Sequence, residues 1–191
     1  MNYNFFALIA RMRHIGRWGL MRSVVPENVQ EHSHMVAVLA HALALIRRDV
    51  LGRDCDVDRV AVLALYHDAP EILTGDMPTP VKYFSPAIRE AYRQVEEVSA
   101  ARLLDMLPPE LRESYAPILG EETGAEWELV KAADKLSAHI KCLEERKAGN
   151  TEFLQAEQQT RDALEKNPLP ELRYFMEHFL PGFSLTLDEL Q

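Results

Sequence analysis

The sequence predicts an all-α protein. Apolar residues recur at three- and four-residue spacing along most of the chain, and Gly and Pro fall where such stretches start and stop. No alternating run is joined to another by a hairpin dipeptide. No internal repeat or low-complexity tract interrupts this pattern.

The elements follow in order. Residues 3–15 read as a short first helix ended by Gly16. In the next segment Val29, His32, Val36, Leu39, Leu43 and Ile46 share one face, with Asn28 as N-cap and Glu31 completing a capping box. Asp58 is the expected cap of a helix over 59–73. That helix is apolar on nearly every side, so it is expected to be central and buried. TGDMPTPVKYFSP, rich in Gly and Pro, reads as an ordered loop. Ser85-Pro86 opens a helix to about Leu107, and Pro108-Pro109 starts a short helical turn region. A long helix spans about 125–148, closed by Gly149-Asn150, and two more lie near 152–166 and 171–179. The tail SLTLDELQ is left irregular.

Composition narrows the function. With 191 residues, of which 47% are hydrophobic, one domain with a sizeable core is expected. A net charge of −9 disfavours nucleic-acid binding, and an anionic substrate would need local positive charge from a metal or a placed arginine. Cys55 and Cys142 have no motif spacing. The N-terminus reads as a mature helix rather than a signal peptide, and no apolar run suits a membrane, so the cytoplasm is the expected compartment.

His67-Asp68 sits inside an apolar stretch that holds no Lys or Arg from Val60 to Leu73. Burying an ionised carboxylate costs several kcal/mol (on the order of a few) unless it is paired or bound to metal. The dipeptide alone reads rather as a core histidine beside a solvent-facing aspartate. His32, on the inward stripe of the preceding helix, offers a second imidazole. Asp134, in LVKAADKLSAHI, shares a face with residues 130, 137 and 141, or else pairs with Lys131 or Lys135 at the surface. Glu71, at i+4 from His67, points to the same pocket or ends the helix in solvent. A nitrogen–oxygen set of this kind suits Mn, Fe, Co, Ni or Zn and leaves positions open for water and substrate. His34, two positions from His32, faces elsewhere, and His14, His41 and His139 lack partners at ligand spacing, so one ion is expected.

The pattern His32…His67-Asp68…Asp134 resembles the HD-domain phosphohydrolase superfamily. The surrounding text, GRWGLMRSVVPENVQEHS, LALYHDAPEILTGDMPTPVKYF and KAADKLSAHIKCLEE, closely resembles the bacterial 5′-deoxynucleotidases over nearly the whole chain. The resemblance implies a single HD-type helical bundle over residues 1–191 with a buried metal site. It implies metal ligands His32, His67, Asp68 and Asp134, and an essential Glu71. Arg17 and Trp18 would be catalytic and would contact substrate. His32, Asp68 and the loop Asp76-Met77-Pro78-Thr79 would contact it too. It further implies one divalent metal, with cobalt and manganese the leading choices among transition metals, and a homodimer. Two positions depart from the family's pattern: Pro70 replaces a small polar residue, and Met77 a leucine. Pro70 cannot donate to the Tyr66 carbonyl, so a local kink is expected before Glu71.

The expected reaction is therefore hydrolysis of deoxyribonucleoside 5′-monophosphates. Arg17 would grip the phosphoryl group with its planar fork. Glu71 would either orient water or protonate the leaving oxygen. Trp18 would wall the phosphate pocket, donate its indole N–H or anchor the core, while Lys82 reads as a surface residue. The rivals are an HD-type enzyme for a cyclic nucleotide or a triphosphate, a non-catalytic nucleotide-sensing module, and a structural helical dimer.

Overall fold

The computed structural model describes residues 2–82, 84–120 and 123–191; Tyr83, within the expected loop, lies outside them. Ten α-helices are seen among the described residues, with no strand beyond an isolated antiparallel bridge between Gly16 and Asn28. They are α1 (Phe5–Ile9), α2 (Val29–Leu45), α3 (Val57–Tyr66), α4 (Glu71–Thr74), α5 (Thr79–Lys82), α6 (Pro86–Asp105), α7 (Pro109–Gly120), α8 (Gly124–Lys147), α9 (Leu154–Glu165) and α10 (Pro170–His178). Among the described residues, no helix is long and apolar enough to cross a membrane.

The chain forms two compact units. One comprises Met1–Leu20, Pro26–His34 and Leu65–Glu122. In it α6 packs on α7 and on α4, around Phe5, Ala69, Leu103, Leu107 and Leu119. The Phe5 and Tyr115 rings meet edge-on, centroids 5.1 Å apart, which favours the quadrupoles of both rings. The other unit comprises Met21–Val25, Met35–Ala64 and Thr123–Gln191. Its core joins Val36, Leu39 and Leu43 of α2 to Leu63 of α3 and to Leu129 and Leu136 of α8, and α9 lies along α8. Arg47 enters this unit's interior, where its Nε donates to Glu171 at 2.6 Å.

Several helix signals hold. Asn28 accepts from the Glu31 amide at 3.0 Å, and the Glu31 carboxylate accepts back from the Asn28 amide at 3.4 Å. Ser85 Oγ accepts from the Ile88 amide at 3.2 Å, with Pro86 in the first turn.

Other expectations need correction. The first helix is α-helical only over Phe5–Ile9 and tightens to a 3₁₀ turn over Ala10–His14. Asp56, not Asp58, caps α3, because its Oδ1 accepts from the Arg59 amide at 3.0 Å. The helix expected over 59–73 breaks after Tyr66. Pro70 brings no N–H, and the amides of Ala69, Glu71, Ile72 and Leu73 each bond the carbonyl three residues back instead of four. Nor is the segment buried all round: Val62, Leu65 and Leu73 are exposed. Thr79–Lys82, expected to be loop, makes a single helical turn whose second position tolerates Pro80. The stretch after Pro108 is a full helix of 12 residues rather than a short turn region. The tail, expected to be irregular, carries a 3₁₀ turn over Leu187–Leu190 that is closed by a Thr186–Glu189 capping box, and another 3₁₀ turn ends where the tail begins, at Ser184.

Candidate metal centre

The first unit brings together most of the residues singled out from sequence. His32 comes from the second turn of α2 and is fully buried, and His67 and Asp68 occupy the turn between α3 and α4. Because that turn advances by three-residue bonds, His67 and Asp68 face a common point despite being adjacent. The two histidine Nε2 atoms lie 3.5 Å (His32) and 3.2 Å (His67) from the same atom, Asp68 Oδ2. Donors about 3 Å apart are what two neighbouring ligands present when each lies about 2.1 Å from one ion. One donor atom from each of the three lies within 4.8 Å of the others, and among the described residues no other group of three meets that spacing. Two imidazoles and a carboxylate are a donor set suited to a divalent transition metal. Asp134 belongs to the other unit, half-buried on α8 between buried Ala133 and Leu136.

Arg17 and Trp18 follow the 3₁₀ turn, in a loop whose base is closed by the chain itself. The Arg17 amide donates to the Glu27 carbonyl at 2.9 Å, and the Val29 amide to the Ile15 carbonyl at 2.9 Å. Face to face across that base, Arg17 Nε and Trp18 Nε1 both donate to Glu27 Oε2, at 3.1 and 2.9 Å. Trp18 has φ +60°, a left-handed conformation that a bulky aromatic adopts at a cost of about 1–3 kcal/mol. Strain of this kind persists where surrounding contacts over-determine it, and the indole bond to Glu27 is one such contact. Trp18 is thus a hydrogen-bond donor held by Glu27. Glu27 itself escaped the sequence reading; a carboxylate just before a capping Asn looks like solvent decoration.

Arg17 also corrects the expectation that no protein cation pairs Asp68. Its Nη1 lies 3.4 Å from Asp68 Oδ2 and 3.6 Å from Asp76 Oδ1. The guanidinium therefore spans three carboxylates, from Glu27, Asp68 and Asp76. Asp76 follows Gly75, whose φ of +75° is open to glycine without penalty. The Gly75 carbonyl accepts from Tyr92 Oη at 3.1 Å and from Thr74 Oγ1 at 3.0 Å, which fixes the loop at that point. Met77 and Pro78 beyond it are half-buried, and Thr79 is exposed. Lys82 pairs with Glu96 at 2.9 Å and lies over the Tyr92 ring.

Glu71 is 8% exposed, not a solvated helix end, and its Oε2 has no hydrogen-bond partner among the described residues. Burial above all, then the charges of Asp68 and Asp76, push its carboxyl up to about 10 against the pull of Arg17 and Lys82. The site thus combines a metal-sized donor cluster, an arginine fork and a buried carboxyl group beside them.

Comparison with known proteins gives the class first. The chain superposes on an HD-domain phosphohydrolase from Listeria innocua with a TM-score of 0.79 and 23% identity, covering 94% of this chain and 88% of that one. It also superposes on the cyanophage S-2L HD phosphohydrolase DatZ, bound to dA and one catalytic Zn²⁺ ion, with a TM-score of 0.63 and 23% identity over 92% and 96% of the two chains. The fold is that of the HD-domain phosphohydrolases. The model of the 5′-deoxynucleotidase YfbR-like family matches residues 4–183. The 5′-deoxynucleotidases YfbR of Shigella boydii and Escherichia coli are each 49% identical to the chain over 189 residues, 98% of its length and 95% of theirs. This chain belongs to the YfbR-like 5′-deoxynucleotidase family.

Proposed function

We propose that the chain hydrolyses deoxyribonucleoside 5′-monophosphates to deoxyribonucleosides and phosphate, with one divalent metal held by His32, His67, Asp68 and Asp134. The observation that carries this is the meeting of His32, His67 and Asp68 donors with Arg17 and a buried Glu71. The names of its 49%-identical relatives support the same substrate class. When bound, the metal supplies a Lewis acid and a water of lowered pKa. Cobalt and manganese, which the family resemblance implies, are the preferred ions; the donor set itself also suits zinc, the ion bound to DatZ.

The chain's own residues divide the remaining work. Arg17 keeps its Nε on Glu27 and turns Nη1 from Asp68 and Asp76 to phosphoryl oxygens, offsetting the charge that develops there. Trp18 and Glu27 keep the guanidinium plane facing the site. Glu71, buried beside the donor cluster, either protonates the leaving 5′ oxygen or orients the attacking water. Asp76 accepts a hydrogen bond from the 3′ hydroxyl, and Met77, Pro78 and Thr79 form a stiff wall beside the 2′ position. The sequence offers no evident cluster of Asn, Gln or Arg to read the base edge, so purines and pyrimidines are both accepted. The whole chain acts as one catalytic domain, in the cytoplasm, as a homodimer and without nucleic acid. The match of one family model to residues 4–183 supports the first of these. Phosphate release from dAMP and AMP, with and without added metal, tests the reading. The expected result is release that needs metal and prefers dAMP.

A further inference from the structure

Glu145 and Lys141 are charged residues in the interior of the second unit, 1% and 4% exposed. They lie one turn apart on α8, and burying such a pair is unfavourable unless its remaining hydrogen-bonding capacity is used. Here it is used on one short piece of chain. Glu145 accepts from Lys141 Nζ, from the Val24 amide at 2.8 Å, the Val25 amide at 3.1 Å and Asn150 Nδ2 at 2.8 Å. Lys141 Nζ also donates to the Val25 carbonyl, and Asn150 Nδ2 to the Arg22 carbonyl at 2.7 Å. The Val24 and Val25 side chains are themselves exposed, so apolar packing does not fix this stretch. The buried charges hold it instead, through its backbone.

Val25 is gripped at both its N–H and its C=O. One residue follows, Pro26, whose ring locks φ near −65°. Then comes Glu27, whose carboxylate holds both Arg17 Nε and Trp18 Nε1. We propose that Glu145, with Lys141, is a positioning residue for the reaction: through Val25 and Pro26 it sets Glu27, and through Glu27 the Arg17 fork and the Trp18 indole. This rests on Arg17 being the phosphate-binding group proposed above. A misplacement of about 1 Å in such a group lowers turnover by as much as about a hundredfold.

A double-mutant cycle on the full-length, metal-loaded protein tests it. Glu145→Gln is expected to lower kcat/KM for dAMP about tenfold with Arg17 present, and less than about twofold in Arg17→Ala. Lys141→Met is expected to follow Glu145→Gln, while Lys141→Arg, which keeps the cation, restores most of the activity. A merely structural role would give the same loss in both Arg17 backgrounds. In Trp127→Phe protein Trp18 is the remaining tryptophan, and Glu145→Gln is expected to make its fluorescence distinctly easier to quench with acrylamide. If Glu145→Gln does not fold, Asn150→Ala, which deletes two of the bonds, takes its place in the same cycle. Equal losses in both backgrounds, or unchanged Trp18 quenching, would overturn the proposal. Full activity in Arg17→Ala would instead remove the phosphate role of Arg17, leaving the quenching result to judge the anchor.

Discussion

At the scale of single residues, Glu71 and Asp76 separate binding from chemistry. Glu71 is buried beside the donor cluster and is not counted as a ligand. Glu71→Ala is expected to lower kcat by two to four orders of magnitude, about the worth of a general acid, while metal content and dAMP affinity stay unchanged. Loss of the metal from this variant would show Glu71 to be a ligand instead. Asp76 is expected to set sugar selection. The ratio of kcat/KM for dAMP to that for AMP should be about ten- to two-hundred-fold in the wild type, and 3′-deoxy-AMP should be a poor substrate. Asp76→Ala should collapse both differences. A variant that keeps the wild-type ratio would place the selectivity elsewhere.

His32, His67 and Asp68 were legible as one cluster because the text around them resembles a known family; the histidine–aspartate pair alone reads rather as a core histidine and a solvent-facing aspartate. The partners of Arg17 were not. Glu27 lies ten residues from it and is brought near by closure of the loop at Gly16 and Asn28, while Asp68 lies 51 residues away and meets it only in the folded unit. No local spacing rule reaches either contact. Glu71 was named as the essential glutamate, but its proton affinity depends on burial that the sequence pattern left open.

At the scale of elements, the spacing of apolar residues located α2, α6 and α8, the helices of 17 to 24 residues, missed the extent of α7, and failed where the backbone changes its hydrogen-bonding pattern. Periodicity runs through 59–73 without interruption, yet Pro70 breaks the ladder and so lets His67 and Asp68 converge. The expected kink was a correct reading of one missing N–H; the helix drawn across it was not. Asp56 displaced Asp58 as cap for a similar reason, since two nearby aspartates offer the same chemistry and only loop geometry chooses between them.

The Glu145 anchor gives an element-scale expectation. Burial alone would raise this carboxyl, but the hydrogen bonds from Lys141, Val24, Asn150 and Val25 hold it down to about 2, below its usual 4.5. A depressed native value stabilises the fold above the unfolded value and is lost as pH falls through the native one. The wild-type melting temperature should therefore lead that of Glu145→Gln most above pH 4.5, with the gap closing between 4.5 and about 2. A gap that stays constant across that interval would mean the charge is not what stabilises the segment.

At the scale of the whole molecule, the all-α architecture was legible from punctuation and spacing, and the family's text reached nearly from end to end. The division into two compact units was not, because α2 and α3 each run from one into the other without a linker or a change of composition. Sedimentation is expected to give twice the 21.8 kDa mass of one chain, as a homodimer requires. A species of single-chain mass at micromolar concentration would remove the dimer from the account.

The central claim is that one divalent ion at His32, His67 and Asp68 makes this chain a deoxynucleotidase. It is tested by stripping the protein of metal and following phosphate release from dAMP as cobalt or manganese is returned. The account expects no turnover in the stripped protein and a lower melting temperature, both restored at one ion per chain, with AMP hydrolysed at least about tenfold less efficiently throughout. Full turnover of dAMP by metal-free protein would contradict it.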